Sequence, residues 1–257
     1  IRGVIYFVRL HKDLTELTQR LRQAKKAGVP TTAAAPTLAI EPERDPKRTR
    51  QRANKKLVRE LVLTSNVDAL VDLTFDDIRT LRFLQRLLYD PDEHHRWLAA
   101  HLLGQVCARL STRQPGPVSD LLHRMFEAST DSAATHWGLI ESIGAIIAAR
   151  TDIFGAFTRH LLPYVHDPTT RIAALWGLGS VARPRPDLIR NTPFFQLLPL
   201  LHHEEPAVRG HMLRLLGRIG AKEAASDIEK LQEDPAELVV YEDGKPHTTT
   251  VGQMARE

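Results

Sequence analysis

The chain has one cysteine among 257 residues, which excludes an intramolecular disulfide framework and a zinc site built on cysteine ligands. Cys107 lies on the apolar side of a predicted helix, so we expect a small buried hydrophobic residue rather than a reactive thiol. A single cysteine also suits a reducing, cytoplasmic setting. Aromatic residues make up only 6% of the sequence and no long β-branched alternation occurs, which favours helix over sheet.

Long apolar runs are missing as well. No stretch approaches the roughly 18 uncharged apolar residues typical of a transmembrane helix, so we expect no membrane span. The first ten residues are apolar, but Arg2 and Arg9 interrupt them and no small-residue cleavage site follows, which makes a poor secretory signal. A nucleotide-binding glycine loop, a GxSxG motif and an HExxH motif are all absent, and we predict no cofactor.

A helical segment occurs four times, and in each copy a glycine follows a basic residue by eight positions. The glycines are 40, 35 and 38 residues apart. A repeat of this period is one helical hairpin, which must stack on its neighbours to bury its apolar face. The pairs of base and glycine are Arg96 and Gly104, His136 and Gly144, Arg171 and Gly179, and Arg209 and Gly217.

The sequence predicts an all-α solenoid over residues 54–235. Each inner helix, which carries the base and the glycine, follows a turn that contains an acidic residue, and the base is expected to reach such an acid. A mid-helix glycine costs about 1 kcal/mol relative to alanine, so we expect each to allow close helix packing. Predicted helices cover 57–63, 67–73, 75–89, 92 onwards, 117–128, 132–149, 152–165, 168–182, 187–202, 205–219 and 222–232.

The N-terminal part has a different composition. Residues 1–60 contain 15 Lys/Arg against 6 Asp/Glu, whereas residues 61–257 contain 20 against 25. Residues 1–27 are predicted to form an amphipathic segment, and residues 28–53 a flexible linker with a basic cluster. This cluster is either a solvated leader or an electrostatic handle for an acidic partner. Its residues are Lys47, Arg48, Arg50, Arg52, Lys55 and Lys56.

The last segment, 236–257, has a different pattern. Leu238 to Tyr241 and Thr248 to Val251 flank an Asp-Gly pair, which predicts a β-hairpin. Thr250 is expected to cap a last helical turn. Because an isolated hairpin is marginally stable, we expect it to lie against the final helices and to cap the open end of the stack.

The motifs DPTTRIAALWGLGSVA and EEPAVRGHMLRLLGRIG resemble the HEAT repeat, in particular the variety named after phycobilisome lyases. From about Leu61 to Gly220 the chain is also similar to an uncharacterised HEAT-repeat family of anaerobic sulfate-reducing bacteria, through HWGLIESIGAI, ALWGLGSVARPRP, VVYEDG and TVGQMARE. The resemblance implies an α-solenoid of helical hairpins and no established reaction. The repeat motif is specific for fold and nearly silent on function.

A binding surface is the remaining hypothesis. Positions one, five and nine residues after the recurring base vary between copies and lie on one helix face. Stacked helices are about 8–10 Å apart, so these positions predict a continuous concave strip with aromatics at one end and arginines at the other. Tryptophan and arginine are enriched at interface hot spots. The candidate partner-binding residues are Trp97, His101, Trp137, Glu141, Trp176, Arg214 and Arg218.

This strip predicts a non-enzymatic scaffold or adaptor for a protein partner that offers aromatic contacts and an acidic group for Arg214 and Arg218. In the alternative interpretation, Trp97, Trp137 and Trp176 only fill gaps in the core. Twelve histidines invite a metal hypothesis, but His203-Glu204 is the only His-Glu pair of the kind that HEAT-type deoxyhypusine hydroxylases use repeatedly, and we predict no metal.

HEAT-like alkylpurine DNA glycosylases are the enzyme alternative. They place a tryptophan and a carboxylate one helical turn apart, as Trp137 and Glu141 are spaced here. Such an enzyme needs a basic trough for phosphates, whereas the array has more acidic than basic residues. Any nucleic-acid binding is therefore expected through the basic N-terminal segment. One buried cysteine and a generic repeat do not support phycobilin lyase activity.

Overall fold

The computed structural model describes residues 38–45, 47–130 and 138–257. These ranges are mostly helical, with a two-stranded antiparallel sheet near the C-terminus. Three predictions lie outside the described residues: the amphipathic segment 1–27, the linker part 28–37, and the start of the second repeat with His136 and Trp137.

Three helices come first: α1 (Lys55–Leu63), α2 (Val67–Asp76) and α3 (Thr80–Leu87). Asn54 and Asn66 cap α1 and α2, because each side chain accepts a hydrogen bond from the backbone N–H three residues later. The predicted single helix over 75–89 is wrong, since a break separates α2 from α3. Asp77 stabilises this break by accepting hydrogen bonds from the Arg79 guanidinium and from the segment before α1.

The chain continues with α4 (Glu93–Ser111), α5 (Pro115–Ala128), α6 (Leu139–Ala149), α7 (Thr151–Phe154), α8 (Arg171–Ala182), α9 (Asp187–Arg190) and α10 (Pro206–Ile219). Helices α4, α6, α8 and α10 pack side by side in chain order, and we call them the helix row. A continuous core of buried aliphatic and phenylalanine side chains runs along it. These four are the helices that carry the repeated sequence.

The connecting segments are less regular than the sequence predicts. Instead of continuous helices over 152–165 and 187–202, short α-helical turns are followed by 3₁₀ segments over Gly155–His160, Leu162–Val165 and Phe194–His202. Pro163 and Pro199 lack the N–H group that an α-helix requires there. The last predicted helix, 222–232, is a 3₁₀ turn over Lys222–Ala224 followed by α11 (Ala225–Lys230). The connecting segments carry an apolar stripe that is buried: Phe154, Phe157, Leu161 and Val165.

The recurring base holds the turn before its helix. Guanidinium groups of Arg96, Arg171 and Arg209 donate to backbone carbonyls six and five residues earlier, at 2.7 to 3.3 Å. The turn backbone is therefore the partner that all three copies share, and the expected contact with an acidic side chain is confirmed for Arg209. Arg209 adds an ion pair with Asp234, 2.7 Å away. The same geometry in three copies supports a structural role.

The repeated glycines do not share one role. A Cβ on Gly144 would lie 2.5 Å from the Gly177 Cα, and a Cβ on Gly104 would lie 3.1 Å from the Ala145 Cβ. Close approach is thus confirmed between α4 and α6 and between α6 and α8. The prediction of close packing is wrong for Gly217, where a Cβ would meet nothing within 4 Å. A Cβ on Gly179 would meet the side chain of Arg214 rather than a helix backbone.

The predicted hairpin is confirmed, with β1 (Glu237–Glu242) antiparallel to β2 (Lys245–Thr250) and Glu242 paired with Lys245 next to the turn. Asp243 and Gly244 have φ values of 50° and 76°, as a turn with two left-handed residues requires. Thr250 caps α12 (Val251–Arg256) through a reciprocal capping box with Gln253.

The position of this hairpin differs from our prediction. β1 packs on α10, the final helix of the row, as expected, but β2 contacts α4 at the opposite end. Gly210 of α10 makes room for it, since a Cβ there would lie 2.3 Å from Leu238 Cδ1. At the turn, a Cβ on Gly244 would lie 3.2 Å from the His101 Cβ. The hairpin therefore spans the helix row instead of capping only its end.

Candidate binding surface

An aromatic cluster joins the hairpin to the helix row. The Tyr241 ring stacks on Trp97 with centroids 4.6 Å apart and an angle of 9°, and Trp97 meets Trp176 edge-on at 4.8 Å. Ala145 of α6 lies against the cluster, so these rings bridge from α4 to α8 across a small residue. Trp97 and Trp176 are only 8% and 9% exposed. The two described tryptophans of the predicted strip are thus covered by the chain's own hairpin.

Hydrogen bonds orient these rings. The Trp176 indole N–H donates to the backbone carbonyl of Tyr241 at 2.8 Å, which fixes a main-chain group of β1 on the helix row. The Tyr241 hydroxyl forms a 2.9 Å hydrogen bond with His94 Nδ1. The Trp97 indole N–H donates to Glu93 at 3.4 Å. Buried tyrosine and tryptophan need such partners for their polar groups, and all three rings have one.

The next residue of β1 supplies the acidic contact. Glu242 Oε1 lies 2.6 Å from Arg214 Nη2 and 3.2 Å from Arg218 Nη2. The same two arginines also donate to the backbone carbonyls of Trp176 and Gly179, at 3.2 and 3.0 Å. The Arg214 side chain is 7% exposed, and its guanidinium lies 5.6 Å from the Trp176 ring centroid. An aromatic side chain and a carboxylate, adjacent in sequence, thus occupy the two ends of the predicted strip.

Positive charge in this region exceeds what Glu242 neutralises. Burial lowers the pKa of Arg214 to about 10, with the charge of Arg218 as the next cause. Burial also lowers the pKa of Arg218, and the charge of nearby Arg183 acts in the same direction. Arg183 is exposed and makes no ion pair or hydrogen bond to any described residue. Three arginines therefore share this part of the surface.

An open groove of about 530 Å³ lies beside the hairpin turn, and we call it the arginine groove. Its sides come from α4, α6, α8, α10 and the turn of the hairpin. The residues that define it are Arg183, Arg214, Arg218, Trp176, His101, Gln105, Ser180, Ala145, Ala148, Ala149, Glu242 and Asp243.

His101 and Glu141 complete the described part of the strip. The His101 ring forms a 2.7 Å hydrogen bond with Gln105, and burial lowers its pKa. The Glu141 Oε2 atom is inaccessible to solvent and has no hydrogen-bond partner among the described residues. Burial raises the Glu141 pKa to about 7, while Arg96 opposes and Glu93 adds to this shift. Glu141 is thus half-buried, with one carboxylate oxygen shielded from solvent, and it does not line the arginine groove.

The basic cluster lies apart from this surface. All six of its residues are exposed, and Arg48 forms an ion pair with Asp76 of α2. The chain just before it is docked: the Glu41 carboxylate lies 2.5 Å from Arg109 Nε, and the Arg113 guanidinium donates to the Glu41 carbonyl at 3.0 Å. This part of the predicted linker therefore follows the surface of α2 and α4. The role of the cluster as an electrostatic handle stays a prediction.

Tyr241, Glu242 and Arg183 belong to this region of the molecule, but our sequence reasoning did not select them. The adjacent aromatic and acidic residues in VVYEDG match in type the partner that we expected for the strip, and this match was the signal available. Cys107 is confirmed as a buried free cysteine, and burial raises its pKa. Within the described ranges, no three metal-ligating side chains are grouped to hold an ion, and no helix has the length and apolar character of a membrane span.

Comparison with known proteins finds no match for the chain, neither to a family model nor to a curated protein or a solved structure. The functional argument therefore depends on the geometry of this surface.

Proposed function

We propose that the chain is a HEAT-type α-solenoid that acts as a cytoplasmic, non-enzymatic scaffold or adaptor and binds an extended segment of a protein partner on its concave face. In this proposal the concave face is the side of the helix row that carries Trp97, Trp176, Arg214 and Arg218. The stacking of α4, α6, α8 and α10 in chain order supports the solenoid. The repeated contact between guanidinium and turn supports its repeat character.

One observation carries the proposal: this face already holds an extended strand, β1 of the hairpin. The strand is anchored by the Tyr241 ring, the Tyr241 carbonyl and the Glu242 carboxylate. These are an aromatic, a main-chain and an acidic contact, which any extended segment with the same two side chains offers. A partner segment would take the place of β1, so the hairpin lowers the apparent affinity by competing for the site.

A peptide added in trans tests this proposal. The probe is a fluorescent peptide of residues 236–250, and its anisotropy is followed with full-length chains. In Tyr241→Ala/Glu242→Ala the competing hairpin is weakened, so peptide affinity should rise about tenfold or more over wild type, since a competing state reduces apparent affinity by the competent fraction. The matched control is Val239→Thr/Thr248→Val, which changes two exposed hairpin residues but keeps β-branched side chains in this cross-strand pair, and it should behave like wild type.

Equal, weak binding to all three proteins would contradict the proposal, provided that the variants keep the helical circular dichroism of wild type. Glu242→Ala alone serves if the double variant unfolds, because it leaves the aromatic stack in place. A peptide with alanine at both anchor positions should not bind. Proteins captured from the native cell by the double variant should be released by the unmodified peptide.

A second candidate is the DNA glycosylase alternative, and one observation favours it. Glu141 has a pKa of about 7, which suits a general acid or base near neutral pH. Release of alkylated purines that is lost in Glu141→Gln would favour the enzyme. Nucleic-acid binding through the basic cluster alone would instead be salt-dependent and lost when its six residues are neutralised.

A further inference from the structure

The arginine groove has the size and lining of a small-molecule site. Its volume of about 530 Å³ is much larger than an inorganic anion needs, and it lies within the roughly 300–1,000 Å³ typical of ligand pockets. Ala145, Ala148 and Ala149 provide an apolar side, while Gln105 and Ser180 provide polar groups. An organic ligand with both apolar and polar parts matches this lining.

The charges in the groove select the class of ligand. Arg183, Arg214 and Arg218 face the two carboxylates of Glu242 and Asp243, which leaves one positive charge in excess. Glu242 uses a single oxygen for both of its arginine contacts. Guanidinium clusters recognise phosphate because they offer several directed N–H donors and keep their charge.

Arg183 differs from the other two arginines of the groove, because its side chain stabilises no described part of the fold. It follows the last residue of α8, is exposed, and has no hydrogen bond or ion pair with the described residues. Arg214 and Arg218, in contrast, bind Glu242 and helix carbonyls. A free guanidinium beside two partly buried ones leaves donors available for an incoming anion.

We propose that the arginine groove binds a phosphate monoester, with the phosphate at Arg183, Arg214 and Arg218 and the organic part against Ala145, Ala148 and Ala149. This site does not depend on the scaffold proposal, because it lies beside β1 and remains open while the hairpin is in place. Binding of a peptide in trans and binding of the phosphate ester are therefore separate measurements.

Calorimetric titration of the full chain with phenyl phosphate at constant ionic strength tests the site. Arg183→Gln should weaken binding about tenfold or more, the size expected for loss of a charged hydrogen bond. Lys222→Gln removes the same charge from an exposed residue that has no ion pair in the described chain and lies outside the groove, and it should stay within about twofold of wild type. Without ligand, both variants should melt like wild type.

Inorganic phosphate is the second probe and should bind about tenfold more weakly than phenyl phosphate, because it cannot use the alanine side. Equal affinity for the two probes would overturn the assignment of an organic ligand. Absence of phenyl phosphate binding at millimolar concentration, or an equal loss in Arg183→Gln and Lys222→Gln, would overturn the site itself.

Discussion

The two halves of the helix row use the same repeat position in opposite ways. In the first half, glycines bring helices together: Gly144 meets Gly177, and Gly104 meets Ala145. In the second half, a Cβ on Gly179 would lie 3.2 Å from the Arg214 guanidinium, and one on Gly217 would meet nothing. The first half is thus closed by backbone contact, whereas the second half leaves space for arginine side chains.

This difference explains where the residues of the candidate binding surface lie. Close packing of α4, α6 and α8 allows Trp97 and Trp176 to meet across Ala145. Between α8 and α10, the guanidinium groups of Arg214 and Arg218 instead reach the backbone carbonyls of Trp176 and Gly179 in α8. The repeated sequence therefore places each helix at the same position in the row. Its glycine either allows close contact with the next helix or leaves space for an arginine side chain.

The largest effect is expected at Gly144, where an added Cβ would come closer to backbone than at any other described glycine. Gly144→Ala would place a Cβ 2.5 Å from the Gly177 Cα, where only the backbone can move, so we expect a loss of about 3 kcal/mol in unfolding free energy. Gly217→Ala is the matched control in an open position and should stabilise by up to about 1 kcal/mol through helix propensity. Urea unfolding measures both. Equal effects of the two substitutions would show that the halves pack alike.

The first half of the helix row, which contains Glu141, should lose stability as pH rises. The folded pKa of Glu141 is about 7, above its usual 4.5, so the folded state keeps a proton that the unfolded chain releases between these values. Stability then falls across this window by up to about 3 kcal/mol. Glu141→Gln should be more stable than wild type at pH 8 and similar at pH 4, by urea unfolding. The exposed control Glu229→Gln should follow wild type, and an unchanged pH profile in Glu141→Gln would contradict this account.

The second half of the helix row, which carries Arg214 and Arg218, should instead lose stability as pH falls. His211 of α10 is buried, and its pKa falls to about 3 through burial and the charges of Arg214 and Arg218. The unfolded chain binds a proton near pH 6.5, so stability falls as pH decreases below that value, by about 2 kcal/mol between pH 7 and 5. His211→Met should flatten this acid limb in thermal melts, while the exposed His247→Gln should not. If His211→Met loses thermal stability at low pH as wild type does, another residue must cause this pH sensitivity.

Much of the helix row could be predicted from sequence because its signals are local. The base, the glycine and the apolar spacing recur in one chain segment, and the Asp243-Gly244 turn specifies its own conformation. The connecting helices were less predictable, since the apolar stripe near Pro163 fits both α-helical and 3₁₀ backbone. Which glycines are tightly packed also could not be predicted, because the contact partner belongs to another helix.

The sequence by itself determined the helical character, the repeat period, the terminal hairpin and the residue types of the binding strip, because each depends on neighbours within a few positions. Only the tertiary structure decided that the hairpin spans the row and that Tyr241 and Glu242 cover Trp97 and Arg214. It also decided that Arg183 lies beside an open groove without an ion pair to any described residue. These contacts join residues up to 147 positions apart, as between His94 and Tyr241, and depend on how helices stack. Spacing along the chain carries no information on such distances.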